Sequence, residues 1–403
     1  MKKTWLGGLV IAVLVLLFPV VGSAAESEGL LGNSPGESAV NKSIEKGKYA
    51  KGEVIVKFKD KVSVSSKNKV LADVGATLQA DVDAVASPFS VLEVNNVEEV
   101  VKALSNNPNV EYAEPNYELH ATWTPNDTYF STSYQYGLFN TDANLAWDVA
   151  RGSSGQEVAV LDTGVDYNHP DLNGKVIRGY DFVQNDNYPM DQNGHGTHVA
   201  GIAAAETNNA TGIAGMAPNT RILAVRVLDA NGSGSLADIA DGIIYAADAG
   251  AEVINLSLGC NCDTQTLEDA VNYAWNSGVV VVAAAGNDGV STTFEPASYA
   301  NVIAVGAVDS NNQKASFSNW GTWVDVMAPG VDIASTYPGN SYVYLSGTSM
   351  ASPFVAGQAA LLTGQGRSNS QVRAAIENTA DSMSGVGYYV EHGLINANDS
   401  VRY

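Results

Sequence analysis

Apolar residues follow two different patterns along this chain of 403 residues, and the change comes at about Trp123. Before it, apolar and polar positions alternate or repeat every three to four residues, as in half-buried strands and amphipathic helices. After it, uninterrupted apolar runs are separated by helical stretches. Such runs are typical of parallel strands covered on both faces. The pattern therefore predicts two units of different architecture.

The first unit is predicted to have the order β-α-β-β-α-β. Its six elements are, in chain order, GEVIVKF (52–58), SSKNKVLADVG (65–75), ATLQADVDAV (76–85), FSVLEVN (89–95), VEEVVKALSNNP (97–108) and VEYAEPNYELH (110–120). This order is the split βαβ, or ferredoxin-like, arrangement. At about 70 residues such a unit is only marginally stable alone.

The second unit is predicted to be an α/β domain with a mainly parallel sheet. Its strands are EVAVL (157–161), RILAVRV (221–227), EVINLSL (252–258), VVVVAAA (279–285) and NVIAVGAV (301–308), with helices between them such as LADIADGIIYAADAG and TLEDAVNYAWNSG. Ligands of such sheets bind at the carboxyl ends of the strands. Three strands end there in polar or glycine-rich residues, at Asp162, Ser257–Cys260 and Asn287.

The chain begins with two lysines, an apolar run from Trp5 to about Val21, and small residues up to Ala25. This is the pattern of a secretory signal peptide, and the run is short for the alternative, a membrane anchor. Residues 26 to about 50 are polar and are expected to form a flexible leader. We therefore expect a signal peptide at 1–25, a second segment at 26–122 and the α/β domain at 123–403, with export from the cell.

The formal charge is −22, and most of it lies in the α/β domain. From Trp123 onward there are nine Lys and Arg residues against 28 Asp and Glu residues, a formal charge of −19. An acidic surface disfavours nucleic acid and anionic lipid, which are bound by basic surfaces. Neither is expected as a partner, and no segment after the first 25 residues is long and apolar enough for a membrane span.

Four motifs carry residues suited to acyl transfer. They are VLDTGVDYNHPDL with Asp162, NGHGTHVAG with His195, AAAGNDG with Asn287 and SGTSMASPFVAG with Ser349. A serine hydroxyl becomes a nucleophile when an imidazole takes its proton and a carboxylate orients the imidazole. The order Asp, His, Ser is the one known for subtilisin. The helix predicted after Ser349 directs a backbone N–H at the substrate carbonyl, and Asn287 supplies a second oxyanion donor.

These motifs resemble the subtilisin-like serine proteases, and WTPNDTYF, AETNNATGIAG and VNYAWNSG are most similar to the thermitase-like branch of secreted Bacillus enzymes. The resemblance spans about residues 123–403 and implies a serine endopeptidase. Residues 26–122 resemble the inhibitor-type propeptide of that family. It implies an intramolecular chaperone and inhibitor that is removed near Thr122, protein or peptide substrates, and a monomer. Phe354 departs from the family, which shows His there.

Other interpretations of the same residues stay open from the sequence. Asp162 suits a capped Asp-Thr-Gly turn, and His195 with His198 suits a zinc site. Ser349 followed by Asp381 and His392 has the chain order of an α/β-hydrolase, although GTSMA lacks the last glycine of that motif. A silent protein that binds peptides in the same cleft is a further alternative.

Two glycine-bearing segments are expected to bind the substrate backbone. They are Gly232, Ser233 and Gly234 in GSGS, and Ser257, Leu258 and Gly259 in SLG. Small side chains leave the backbone accessible, so that an extended peptide adds as a strand between the segments. We expect Ala283–Gly286 to form one wall of a side-chain pocket and Phe294–Pro296 to lie near its floor, with broad specificity for apolar or aromatic residues before the scissile bond. GSGS is otherwise an ordinary loop.

The resemblance also implies structural Ca²⁺, which takes hard oxygen ligands. A tight site is expected on Asp127 and Asp171, the side chain of Asn209, and the carbonyls of Glu206, Thr211 and Ile213. A second site is expected on Asp181 and Asp186, with Asp191 as a substitute ligand because Gln184 and Met190 depart from the family pattern. This segment is otherwise an acidic surface loop.

The two cysteines, Cys260 and Cys262, follow the SLG segment. Residues two apart fall within the Cα separation that a disulfide allows, and export provides an oxidising environment. A three-residue loop gains only about 1.6 kcal/mol from closure. We expect a disulfide that stiffens the cleft rim, with two free thiols as the alternative.

Overall fold

The computed structural model describes residues 49–78, 88–117 and 123–403. The predicted signal peptide, most of the leader, part of the second predicted strand and the expected cleavage point at Thr122 lie outside these ranges. The described residues divide into two compact units, one within residues 49–117 and one at residues 123–403, and each is described by itself.

The first unit is a four-stranded antiparallel sheet with two helices. Its elements are β1 (Tyr49–Phe58), α1 (Val64–Asp73), β2 (Thr77–Leu78), β3 (Ser90–Glu93), α2 (Val97–Ser105) and β4 (Val110–Tyr117). The strand order is β2-β3-β1-β4. The element order is the predicted one within the described residues, while the ferredoxin-like assignment stays a prediction.

Helix α2 shows how the sequence builds this unit. Asn96 accepts a hydrogen bond from the backbone N–H of Glu99, which caps the first turn. The buried residues of the helix are Val97, Val100, Val101 and Leu104. This spacing forms one apolar stripe along the helix, and these residues join a core with Val54, Val56 and Leu92 of the sheet.

The second unit contains an eight-stranded sheet in which every pairing is parallel. Its elements are α3 (Tyr136–Asn140), α4 (Ala143–Ala146), β5 (Glu157–Asp162), β6 (Val176–Asp181), α5 (His195–Ala204), β7 (Arg221–Arg226), α6 (Leu236–Asp248), β8 (Val253–Leu256), α7 (Gln265–Asn276), β9 (Val280–Ala284), β10 (Val302–Val308), β11 (Val326–Pro329), β12 (Ile333–Tyr337), β13 (Ser341–Leu345), α8 (Thr348–Thr363), α9 (Asn369–Asn378), β14 (Gly393–Leu394) and α10 (Ala397–Ser400). The order is β14-β11-β10-β9-β8-β5-β7-β6, and β12 and β13 form a separate hairpin.

Alternation along the strands divides the core into two layers. Val158 and Val160 of β5 pack with residues of α5 and α8, whereas Ala159 and Leu161 pack with residues of α6 and α7. Successive side chains of a strand point to opposite faces, so the sheet has helices on both sides. The three-layer α/β prediction with a parallel sheet is confirmed.

All five predicted strands of this unit are present, with ends that differ by up to two residues. The strand predicted at 252–258 ends at Leu256, so Ser257 already lies outside the sheet. The helix predicted after Ser349 begins at Thr348, which places Ser349 in its first turn. The buried ring of Phe354 packs against Gly137. Among the helices of the described ranges, none is long and apolar enough to cross a membrane.

Candidate active site

Asp162 and His195 form a hydrogen-bonded pair at the carboxyl edge of the sheet. Asp162 is the last residue of β5 and is fully buried, and His195 is the first residue of α5. His195 Nδ1 lies 2.8 Å from Asp162 Oδ1, which also accepts the N–H of Thr163 at 2.7 Å. The second carboxylate oxygen is buried with no hydrogen-bond partner in the described structure. The imidazole of His195 is thus the side chain that the Asp162 carboxylate contacts.

This pairing changes the pKa of His195. Burial disfavours the imidazolium and lowers the pKa, but the charge and hydrogen bond of Asp162 act against it, with a smaller contribution from Asp191. The net pKa lies above the ordinary value of 6.5. Because Nδ1–H donates to the carboxylate, Nε2 is left as the acceptor that a base needs.

Asp191 connects the end of β5 to the start of α5. Its buried carboxylate accepts hydrogen bonds from the Thr163 hydroxyl at 2.8 Å, from the N–H of Gly194 at 2.9 Å, and from both the N–H and the hydroxyl of Thr197. A carboxylate at the N-terminus of a helix is favoured by the helix dipole. Asp191 therefore fixes the segments that carry Asp162 and His195, a role that the sequence did not reveal.

Gly196 is a second residue whose importance the sequence left unassigned. A Cβ atom at this position would lie 3.0 Å from Asp162 Cβ and 3.1 Å from Asp162 Oδ1, and it would overlap the carbonyl oxygen of Gly164. Only glycine lets the first turn of α5 approach the end of β5 this closely.

Ser349 lies in the first turn of α8, against the segment that follows β8. Its hydroxyl donates to the carbonyl of Ser257 at 3.3 Å, and the Ser257 hydroxyl donates to the carbonyl of Ser349 at 2.9 Å. That second bond is possible because Pro353, four residues further on, has no N–H to bond the Ser349 carbonyl. The Ser257 hydroxyl is in turn held by the amide of Asn255 at 2.9 Å.

Asn287 directs its amide N–H₂ toward the same region. Its Oδ1 accepts the N–H of Thr348 at 2.8 Å and the hydroxyl of Thr348 at 3.0 Å, which fixes the orientation of the amide. A Cβ atom built on Gly347 would lie 3.5 Å from Asn287 Nδ2 and 3.7 Å from Ser349 N. The two nitrogens therefore lie near one point at the start of α8, and the pair is suited to the two donors of an oxyanion hole.

The two predicted substrate segments follow strands on either side of β5. Gly232, Ser233 and Gly234 belong to a loop after β7, which is closed by Asp229 accepting the N–H groups of Asn231 and Ser233. Ser257, Leu258 and Gly259 follow β8. Because β7 and β8 both pair with β5, the segments leave the sheet at its carboxyl edge on either side of Asp162.

The residues of the first predicted calcium site lie together. Asp171 accepts hydrogen bonds from the Asn209 amide and the Ile213 N–H, both at 2.8 Å, and its own carbonyl accepts the N–H of Glu206. Asp127 accepts the N–H groups of Asn208 and Asn209, and Asn209 Oδ1 accepts the N–H of Thr211. In the described structure no Lys, Arg or His nitrogen pairs with either carboxylate.

Burial disfavours the charged forms of the two aspartates in this loop. Burial raises the pKa of both Asp127 and Asp171, and the neighbouring charge of Asp171 raises that of Asp127 further. Two buried carboxylates in an oxygen-rich loop match the ligands that Ca²⁺ prefers. The residues present therefore fit the predicted ion.

The second predicted calcium site stays a prediction: Asp181 and Asp186 exchange backbone hydrogen bonds, but their carboxylates are engaged within the protein. Asp181 forms a buried ion pair with Arg226 at 3.0 Å, Asp186 accepts the N–H of Tyr188, and Asp191 is engaged as described above. In the described ranges no three or more His, Cys, Asp or Glu side chains form a group suited to a metal, and this holds for the first site too, whose other predicted ligands are an amide and backbone carbonyls. The oxygens of Asp181 are already satisfied by a cation and by backbone N–H groups.

Cys260 is paired with Cys262, and their Cα atoms are 5.2 Å apart. The segment is fixed to Glu295, because Cys260 and Glu295 exchange both backbone hydrogen bonds at 2.9 Å. The N–H of Cys262 also donates to the Glu295 carboxylate at 3.2 Å.

The residues of the α/β-hydrolase and zinc alternatives are engaged in other contacts. His392 lies 3.8 Å from Glu377, and Asp381 accepts a hydrogen bond from Asn396, so neither makes the hydrogen bonds of a triad with Ser349. His198 places Nε2 within 3.0 Å of the Ile333 carbonyl and 3.1 Å of the Val343 carbonyl, which makes it a donor rather than a zinc ligand.

The fold and the site together define a class of protein. A serine hydrolase is built with a carboxylate–imidazole pair, a serine in the first turn of a helix and two N–H donors, here in a three-layer α/β fold. Comparison with known families narrows this class. The subtilase family matches residues 153–395, and the fervidolysin N-terminal prodomain matches residues 35–116. The chain belongs to the subtilase family and is a serine endopeptidase with an N-terminal prodomain.

Individual relatives agree with this assignment. The chain is 67% identical over 404 residues to the thermophilic serine proteinase of Bacillus sp. (strain AK1), covering all of both chains. It is 60% identical over 281 residues to thermitase of Thermoactinomyces vulgaris, covering 70% of this chain and all of the relative. A solved structure of a protease from Pseudoalteromonas arctica PAMC 21717 matches with a TM-score of 0.62 and 34% identity, over 70% of this chain and 99% of the other. The predicted thermitase-like subtilase is confirmed.

Proposed function

We propose that the chain is an exported serine endopeptidase that hydrolyses internal peptide bonds of proteins through Asp162, His195 and Ser349. The observation that carries this proposal is the 2.8 Å pair between His195 and the buried Asp162, with Ser349 and the Asn287 amide at the same sheet edge. Asp162 holds the imidazole in the tautomer whose Nε2 accepts a proton.

The chemistry follows from these groups. On substrate binding, the Ser349 hydroxyl exchanges its weak bond to Ser257 for one to His195 Nε2, passes its proton there and attacks the scissile carbonyl carbon. The oxygen of the tetrahedral intermediate is stabilised by Ser349 N–H and Asn287 Nδ2. His195 then gives the proton to the leaving amine, and water hydrolyses the acyl-enzyme by the same steps in reverse.

Recognition of the substrate backbone accounts for broad specificity along the peptide. An extended chain adds as a strand between Gly232–Gly234 and Ser257–Gly259, where main-chain hydrogen bonds are independent of sequence. Specificity is then confined to the side chain before the scissile bond.

We also propose that the loop of Asp127, Asp171 and residues 206–213 binds Ca²⁺. The support is the pair of buried carboxylates with raised pKa values. Calcium at 100 times its dissociation constant stabilises the folded state by about 2.7 kcal/mol. A chelator should lower the melting temperature of the wild-type enzyme and have much less effect on Asp171→Asn.

Asp309→Asn is the matched control for that experiment. Asp309 also accepts two backbone N–H groups, from Asn311 and Gln313, but lies outside the proposed site. It should keep the wild-type response to chelation. A chelator that leaves the wild-type melting temperature unchanged would contradict the calcium proposal.

Export and self-processing complete the proposal. Residues 1–25 act as the signal peptide, and residues 26–122 act as an intramolecular chaperone and inhibitor that the enzyme removes near Thr122. The prodomain match at residues 35–116 supports this. Ser349→Ala should therefore accumulate as a folded, unprocessed precursor, and N-terminal sequencing of the secreted wild-type enzyme should begin near Trp123.

Two experiments test the active-site assignment. Ser349 should be labelled by a fluorophosphonate, and absence of labelling would favour a silent binding protein. His195→Ala should abolish peptidase activity while His392→Ala keeps it. The opposite result would favour the α/β-hydrolase order of residues and refute the proposed triad.

A further inference from the structure

The slot for the side chain before the scissile bond is defined by two segments. Ser257–Gly259 follow β8 and Ala285–Asn287 follow β9, and these two strands are parallel neighbours. Ser349 bonds the first segment, and Asn287 of the second is an oxyanion donor. A substrate carbonyl held between Ser349 and Asn287 therefore directs the preceding side chain between the two segments.

The ring of Phe294 lies in this slot. A Cβ atom built on Gly259 would lie 2.8 Å from Phe294 Cδ1, and one built on Gly286 would lie 3.1 Å from Phe294 Cγ and 3.2 Å from Cδ1. The same ring edge is thus in contact with a glycine on each wall. Space that the two glycines would leave open for a substrate side chain is filled by an aromatic ring of the protein itself.

The backbone around Phe294 is held in place. Glu295, the next residue, exchanges two backbone hydrogen bonds with Cys260, the residue after Gly259. The carbonyl of Phe294 accepts the N–H of Ser298, and the buried Glu295 carboxylate accepts the Ser298 hydroxyl at 2.9 Å. Because the following residue and the Phe294 carbonyl are held by hydrogen bonds, the ring leaves the slot most readily by a change of its own rotamer.

We propose that Phe294 shortens this slot and makes the enzyme select small residues, such as Ala or Ser, before the scissile bond. This inference rests on the proposed function and narrows its substrate class. It replaces the sequence expectation of apolar or aromatic residues at that position, which treated Phe294–Pro296 only as a floor. A Phe, Tyr or Leu side chain would have to displace the ring, whereas a methyl or hydroxymethyl group reaches no further than the glycine walls.

The test is a pair of peptide substrates that differ only in Ala or Phe before the scissile bond. They are assayed with wild-type enzyme produced from the full chain, with Phe294→Ala, and with Phe294→Leu as a smaller change. The wild type should prefer Ala by at least tenfold in kcat/KM. Phe294→Ala should shift the ratio of the two kcat/KM values toward Phe by at least tenfold, since even one methylene changes such a ratio by about 10 to 200-fold.

A control variant shows whether loss of any aromatic ring has this effect. Tyr403→Ala removes a side chain that is 64% exposed at the C-terminus, and it should keep the wild-type ratio. Phe294→Leu keeps the experiment decisive if Phe294→Ala is poorly folded, because it should shift the ratio in the same direction.

The outcomes separate this inference from the proposed function. A wild-type enzyme that cleaves both substrates equally, or a ratio unchanged in both Phe294 variants, overturns the role of Phe294 while leaving the protease assignment intact. A wild-type enzyme that cleaves neither substrate and is not labelled by a fluorophosphonate overturns the proposed function itself.

Discussion

Replacing Gly196 by Ala should disable the active site without unfolding the protein. The added methyl group would overlap the Gly164 carbonyl oxygen and press on Asp162. About 1 Å of separation is needed before such atoms reach ordinary contact. A shift of that size takes the 2.8 Å bond between His195 and Asp162 beyond hydrogen-bonding distance. A misplacement of about 1 Å costs roughly 100-fold in rate, so kcat/KM should fall at least that far.

The assay is hydrolysis of a peptide substrate, compared with the melting temperature of each variant. Overpacking costs about 1 to 3 kcal/mol by itself, so two glycine controls are needed. A methyl on Gly155 meets only Ser153 Oγ, at 3.6 Å, and Gly155→Ala should behave as wild type. Gly179→Ala, on the edge strand β6, presses on the Ala224 carbonyl at 2.5 Å and should lower stability while keeping activity. Wild-type kcat/KM in Gly196→Ala would refute the reasoning.

Three further results are expected. Since the base must be neutral and the pKa of His195 is raised by Asp162, kcat/KM should rise with pH through a value above 6.5, and Asp162→Asn should lower that value in a pH–rate profile. The pKa of buried His198 is lowered to about 3, so the unfolded chain binds a proton below pH 6.5 that the folded chain does not. His198 should therefore lower stability by about 1.4 kcal/mol per pH unit between about pH 6.5 and pH 3, and His198→Gln should remove this contribution in unfolding experiments on inhibitor-blocked enzyme. Asn287→Leu should lower kcat about 100- to 1000-fold in steady-state kinetics, as loss of the oxyanion-hole donor does in subtilisin.

The residues that are predictable from the sequence are those whose chemistry is unusual for their position in the chain. Asp162 and Asn287 stand out because polar residues seldom follow buried strands, and the parallel strand pattern brings them to one sheet edge. The strands that the sequence did not predict are short or lie at the edges of sheets. Strand β14 has two residues, and β6 carries the polar sequence VIRGYD. Their formation is decided by tertiary pairing rather than by local pattern.

The site residues whose roles the sequence leaves open are groups with several possible partners. From the sequence, Asp181 and Asp191 are equally suited to calcium or to internal hydrogen bonds. Arg226 and the N-terminus of α5, which engage them, lie 45 and about four residues away and become neighbours only in the folded chain. Phe294 is predicted near the floor of the side-chain pocket, and only the folded chain brings its ring against Gly259 and Gly286.

The parallel sheet also sets the order of events during folding. Parallel neighbours cannot be joined by tight turns, so every pairing closes a long loop, and such folds form slowly. Asp162, His195 and Ser349 come from the end of β5, the start of α5 and the start of α8, spread over nearly half of the chain. If these three residues form the proposed triad, no partial structure that lacks any one of these elements can cut a peptide bond. Proteolytic activity therefore appears only when the domain has finished folding, and a growing or incomplete chain is harmless to itself and to its neighbours.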